Sequence, residues 1–212
     1  YEVGGISHNG NGISAMKLDR NKLRAYKSWV FTQDFILCMG SGIQADSTAT
    51  LVTTIDQRRY ASNEWAQGQK HFHGNTGYIV LQADTCKSSV EEVEGDWSSF
   101  MGSYAPRREK GKVYSLYLTH NTHTPASYVY VVLPGATRGQ TEQFHIEDIQ
   151  VLQNTPEAQV AVVKGICYIS AYQATVIRLP NKKEIEIPQA GTYMADASKG
   201  EVLKGDCFKM GD

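Results

Sequence analysis

The stretch LRAYKSWVFTQDFILCMGSGI, residues 23–43, decides the fold. It holds two apolar runs, Ala25 to Phe31 and Phe35 to Met39, separated by Thr32-Gln33-Asp34, and a short polar triplet between extended runs is the composition of a hairpin loop. Gly40-Ser41-Gly42 stops the second run. Ala25, Trp29 and Phe31 share one parity of the first run, with Lys27 as the exception, while the return run is apolar on both parities. A strand that is apolar on both faces needs cover on both faces, so the pair reads as the centre of a large antiparallel sheet.

Upstream, Tyr1 to Ala15 is Gly-rich and holds one or two short strands around tight turns. It contains Gly10-Asn11-Gly12-Ile13-Ser14-Ala15, a formal G-x-G-x-x-A, but the flanking Gly4–Asn9 and Lys17–Lys22 offer neither the strand nor the helix that a dinucleotide fingerprint requires. Downstream, Ala49 to Ile55 is a β-branched strand, and Asp56 to Lys70 is a long polar excursion. Gly77 to Leu81 returns to a strand, and Lys87 to Lys112 is a charged loop with one short strand. Val113–Thr119 and Ala126–Leu133 form the next strand pair, and Gln140 to Asp148 carries the one short helix. From Ile149 onward apolar runs shorten and turns crowd together at Lys164-Gly165, Pro180-Asn181 and Gln189-Ala190-Gly191, the spacing of a small sandwich.

Composition excludes several classes of function. Lys+Arg 21 against Asp+Glu 22 leaves no global field to hold nucleic acid or a membrane surface, and no apolar run reaches membrane-spanning length. Cys38, Cys86, Cys167 and Cys207 are widely spaced, without a C-x-x-C pair, so no obligatory disulfide is expected. No G-x-S-x-G, P-loop or H-E-x-x-H occurs. Beginning at Tyr1 rather than Met, the chain reads as a piece of a longer protein.

Three separated segments, KSWVFTQDFILCMGSGI (27–43), LVTTIDQR (51–58) and ASYVYVVLPGATRGQT (126–141), resemble in order the central β-domain of the family 8 polysaccharide lyases, the hyaluronate, chondroitin and xanthan lyases. VGGISHNGNGISAM (3–16) and IQVLQNTPEAQVAVV (149–163) are similar to the family's flanking segments, the latter to the opening of its small C-terminal domain. The resemblance implies an all-β fold: part of an antiparallel, galactose-mutarotase-like super-sandwich over residues 1–148, then a small C-terminal β-sandwich over 149–212. It also implies a secreted or periplasmic bacterial enzyme that cleaves uronic-acid-containing polysaccharides by β-elimination. In that family Asn, His, Tyr and Arg of an N-terminal α/α-toroid do the chemistry. The expected partners are therefore an acidic polysaccharide and that toroid, with no nucleic acid and no membrane. No catalytic residue transfers to this chain and no cofactor is implied, a structural calcium ion being left open. The alternatives are a non-catalytic carbohydrate-binding or adhesion module and, by analogy of fold, a sugar-epimerase-like sandwich.

Candidate saccharide contacts lie in the polar excursion and the strand after it: Gln57, Arg58, Asn63, Trp65, His71 and His73. His71 and His73 fall on one face of a strand, where they serve either as two metal ligands in want of a third or as ordinary hydrogen-bonding side chains. HFHGNTGY (71–78) resembles the family's HHDNIGY, with Gly74 in place of its Asp. His120 and His123 flank a loop resembling DHGxNPxNAS, with Thr119 and Asn121 replacing Asp and Gly. Trp29, Trp65 and Trp97 each offer a flat apolar face to a sugar ring; Trp29 belongs to the core pattern, and Trp65, beside Arg58, Arg59 and Asn63, is the better platform.

Overall fold

The opening hairpin closes through its own loop. Thr32 Oγ1 accepts from the amides of Asp34 and Phe35 at 3.3 and 3.0 Å and donates to the Phe35 carbonyl at 2.9 Å. In the computed structural model, which describes residues 2–46, 50–121 and 124–210, the chain is all β with antiparallel pairing. Ala49, His123 and the terminal Tyr1 and Asp212 lie outside the described residues.

The strands are β1 (Glu2–His8), β2 (Asn11–Arg20), β3 (Leu23–Phe31), β4 (Ile36–Ala45), β5 (Leu51–Arg59), β6 (Trp65–Gln67), β7 (Lys70–His73), β8 (Thr76–Gln82), β9 (Thr85–Asp96), β10 (Arg108–His120) and β11 (Ala126–Pro134). The helix α1 (Arg138–Glu142) follows, then β12 (Ile149–Asn154), β13 (Ala158–Val163), β14 (Ile166–Ala171), β15 (Thr175–Arg178), β16 (Glu184–Ile187), β17 (Gly191–Asp196), β18 (Glu201–Cys207) and β19 (Lys209–Met210). A nine-stranded sheet runs β19-β1-β2-β3-β4-β11-β8-β7-β6. Beside it stand a three-stranded sheet, β5-β10-β9, a five-stranded sheet, β12-β13-β14-β17-β18, and the ribbon β15-β16.

The alternation in β4 sets the layers. Leu37 and Met39 point to one side and pack with Ile13, Val30 and Val131 against Ala161, Val163, Tyr168 and Met194 of the five-stranded sheet. Cys38 points to the other side, among Val80, Leu118, Tyr128 and Tyr130, under the three-stranded sheet. Each fully buried Leu, Ile or Met contributes about 2 kcal/mol relative to exposure, so a strand covered on both faces is the most stabilising position in the chain. Ile177, Ile185 and Ile187 of the ribbon cover the far side of the five-stranded sheet over Val160 and Ile169.

Several expectations need correction. Gly40-Ser41-Gly42 does not end β4, which continues to Ala45 through a bulge where the register shifts opposite Ala25. Gly42 takes φ +57 there, and Gly40 is bare because a Cβ would run into the Tyr128 ring. The expected parity of β3 holds for Ala25 and Trp29, which share the cluster around Cys38, but Val30 is buried on the opposite face and Phe31 is 42% exposed. Gly4 to Asn9 is mostly strand, yet β2 follows rather than a helix, so the dinucleotide fingerprint still fails. The polar excursion is shorter than expected, because Asp56–Arg59 complete β5 and Trp65–His73 form β6 and β7. The charged loop instead supplies most of β9 and the start of β10, the longest strands among the described residues, and only 97–107 between them is not strand; Glu94 pairs with Arg108 and Lys110 across the ribbon. β10 and β11 do not pair with each other; each has nearer partners, and the link after His120 carries the chain from the three-stranded to the nine-stranded sheet. The helix begins two residues early, at Arg138, because Thr137 and Gln140 form a capping box there, and it ends at Glu142, with only a separate 3-10 turn at Ile146–Asp148.

The bulge frees backbone carbonyls that the five-stranded sheet must satisfy. Asn154 Nδ2 donates to the carbonyls of Gly40 and Tyr128, each at 3.1 Å, and fully buried Gln159 donates to the Tyr26 carbonyl at 3.2 Å and to Asn154 Oδ1 at 2.9 Å. Gln159 Oε1 accepts from the Tyr172 hydroxyl at 2.8 Å. Replacing Gln159 by Leu keeps the volume but strands these groups, and the expected loss is about 2 kcal/mol. Urea unfolding should show a lower midpoint at unchanged slope; an unchanged midpoint would mean the carbonyls do not need the amide.

Candidate functional site

Asp56 and Arg58 point from β5 into the space between the three-stranded and nine-stranded sheets, and β7 and β8 bring His73 and Tyr78 up to meet them. Asp56 Oδ2 receives three donors: the Tyr78 hydroxyl at 2.7 Å, Arg58 Nε at 3.0 Å and His73 Nδ1 at 3.3 Å. His73 Nε2 accepts from the Ala61 amide at 3.0 Å. A ring nitrogen that accepts carries no proton, so His73 is neutral with its proton on Nδ1. The ring is fully buried and stacks on Tyr114 at 4.0 Å. Arg58 Nη2 donates to the His73 carbonyl at 2.6 Å, and Asn63 exchanges two hydrogen bonds with the backbone of Gly74, at 2.7 and 2.8 Å. Gly74 has φ +67, a conformation that favours glycine over the Asp of the family pattern.

Of the six candidates, Arg58, Asn63 and His73 thus meet in one network. Burial and then the Asp56 bond push the Tyr78 hydroxyl well above its ordinary pKa, and burial pushes Tyr114 up to about 12, so neither serves as a base near neutral pH. Trp65 stands apart under the Arg138 guanidinium, 4.9 Å from its ring centre. Gln57 lies on the outer face of β5 beside Ser115. His71 shares the inward face of β7 with His73, but its Nε2 lies 3.7 Å from Cys86 Sγ. Among the described residues no third ligand joins the two histidines in a metal-binding group. All four cysteines are free thiols. Asp56, which organises the network, was not among the candidates; the Asp56-x-Arg58 spacing that puts opposite charges on one strand face was the available signal.

The class this defines is an all-β protein of stacked antiparallel sheets, with Asp56, Arg58, His73 and Tyr78 bonded to one another between two of the layers. Residues 1–145 match the family model of the polysaccharide lyase family 8 super-sandwich domain, and the chain belongs to that family. Chondroitinase-AC of Pedobacter heparinus is 27% identical over 195 residues, covering 84% of this chain and 28% of that protein. Hyaluronate lyase of Thermasporomyces composti is 28% identical over 191 residues, covering 76% and 24%. A chondroitinase AC lyase structure, described with enzyme–oligosaccharide complexes, superposes with a TM-score of 0.83 at 24% identity over 95% of this chain and 33% of that one. The chain therefore spans under a third of the length of these relatives.

Two predictions follow from the geometry. Asp56→Ala removes the common acceptor of Arg58, His73 and Tyr78, and is expected to cost about 3 kcal/mol, read by urea unfolding. A loss below about 1 kcal/mol would mean that water replaces the carboxylate. The second concerns pH. His71 and His120 each bury an Nδ1 without a hydrogen-bond partner, and burial lowers both below the ordinary value of 6.5. The unfolded chain then takes up protons first, so their contribution to stability is complete above 6.5 and is lost as the pH falls toward the lowered folded values. Thermal melts on the acid side of neutrality should show this loss, and His71→Asn with His120→Asn should flatten it.

Proposed function

We propose that this chain is the β-region of a secreted or periplasmic bacterial lyase that cleaves uronic-acid-containing polysaccharides of the hyaluronan or chondroitin type by β-elimination. In this reading residues 1–148 close the super-sandwich and residues 149–212 form the small C-terminal domain. Together they buttress an N-terminal α/α-toroid, and the exposed side of the Gln57–His73 segment walls the polysaccharide cleft. The observation that carries the assignment is the super-sandwich match over residues 1–145. The names of the relatives, chondroitinase and hyaluronate lyase, support the substrate class.

The chemistry explains why the chain supplies walls rather than catalysis. β-Elimination needs the uronate carboxylate neutralised, a base at C5 and an acid at the leaving oxygen, all held in one cleft. Here His73 spends both nitrogens on Asp56 and Ala61, and the proton of Tyr78 is held by Asp56. The test is the ultraviolet absorbance of the unsaturated uronide formed from hyaluronan, chondroitin sulfate and xanthan, by this chain alone and by the same chain carrying a toroid domain. Turnover is expected only with the toroid. Turnover by the chain alone, lost in Tyr78→Phe, would make this fragment the enzyme, and no turnover in either form would remove the lyase assignment.

A further inference from the structure

β9 and β10 run on together beyond the end of β5. Val113 is the last residue of β10 paired with both neighbours, and Arg108 to Lys112 pair with β9 alone. On the outer face of this ribbon Gly111 stands opposite Val93, and Gly95 opposite Glu109. Neither glycine has a heavy atom within 4 Å of where a Cβ would sit, and neither takes the left-handed backbone, so folding does not require their bareness. The two leave a flat backbone floor. Trp97 and Phe100, 64% and 80% exposed, stand at the end of that floor, and the trough has a volume of about 400 Å³. A cavity of this size admits a short oligosaccharide, and an exposed indole face beside open backbone amides and carbonyls suits a ring with one apolar and one hydroxylated side.

The charges select among sugars. Glu109 is paired with Arg107 at 2.7 Å, and Glu94 with Arg108 and Lys110 at 3.1 and 3.4 Å. Asp96 Oδ1 is occupied by the Ser98 amide and hydroxyl, at 2.8 and 2.7 Å, and by the Arg107 amide at 3.2 Å. Arg59, at the trough's edge on the same face, has no acidic partner among the described residues. A fork of guanidinium donors left open at one end of the trough, with the aromatic pair at the other, matches a carboxylate carried on a ring of a chain lying along it.

We propose that the trough bounded by Arg59, Val93, Gly95, Trp97, Phe100 and Gly111 is a saccharide-binding site that stacks one ring of an acidic polysaccharide on Trp97 and pairs the carboxylate of another ring of the same polymer with Arg59. The choice of ligand rests on the lyase reading, and the site does not. It gives the chain its own hold on the polymer, independent of the toroid.

Titration calorimetry of the whole chain with a hyaluronan oligosaccharide and with its carboxyl-reduced form tests this. Trp97→Ala and Gly111→Leu, both at open surface positions, should each weaken binding about tenfold or more, and Arg59→Gln should erase the preference for the carboxylated form. Wild-type affinity in Trp97→Ala and Gly111→Leu, or no binding by the wild-type chain, overturns the site. So does self-association that depends on Trp97 in sedimentation, which would make the occupant a second copy. Lyase turnover by the toroid-bearing protein is scored separately. Turnover without trough binding sinks the site alone, and trough binding without turnover sinks the lyase assignment alone.

Discussion

A carbonyl freed by a bulge and then buried costs a few kcal/mol unless a donor reaches it. The bulge in β4 creates that demand at the centre of the molecule, and Asn154 and Gln159 meet it from the next layer. This arrangement couples two features that would otherwise be independent. The nine-stranded sheet can coil where Gly42 adopts its left-handed conformation only because another sheet arrives with its amides in register. The apolar contacts between these layers are non-directional and tolerate sliding, whereas the amide contacts fix where the five-stranded sheet sits.

The other side of the nine-stranded sheet is fixed by charge. Asp56 collects donors from β5, β7 and β8 on one oxygen, which ties the three-stranded sheet to the far edge of the large one. Removing water from such a cluster is costly, so it is stabilising only because each proton has an acceptor. The same completeness leaves both ring nitrogens of His73 and the proton of Tyr78 engaged within the protein. Saturation of this kind also stiffens the seam between the two sheets, since each of these side chains is held from more than one element.

The hairpin of β3 and β4 was legible in the sequence because its apolar runs are interrupted by a loop with a strong local signature. The reading of β4 as covered on both faces followed from the same residues. β9 and the first half of β10 were not legible, because a two-stranded ribbon open on both faces has no core-facing parity, and its charged residues read as loop. Partner choice was hidden too. β10 and β11 are adjacent and both strand-like, but adjacency in sequence carries no information about which sheet each joins. At the polar network the residue types were visible, yet the link from Asp56 to Tyr78 spans two strands and a turn, and pattern alone cannot supply it.

β10 lies half inside the sandwich and half outside it, and this sets a gradient of local stability along one continuous strand. Leu116 and Leu118 are fully buried, and their amides open only when the layers separate. From Gly111 toward Arg108 the strand pairs with β9 alone among the described residues, and a bare two-stranded pair is marginally stable in water. Amide hydrogen exchange along these residues would therefore pass from the slowest class in the protein to nearly free exchange within a few positions. A strand built this way behaves as a spring clamped at one end. The turn at its free end holds the exposed Trp97 and Phe100, so the most exposed aromatic rings sit on the least protected backbone while the root stays anchored in the core.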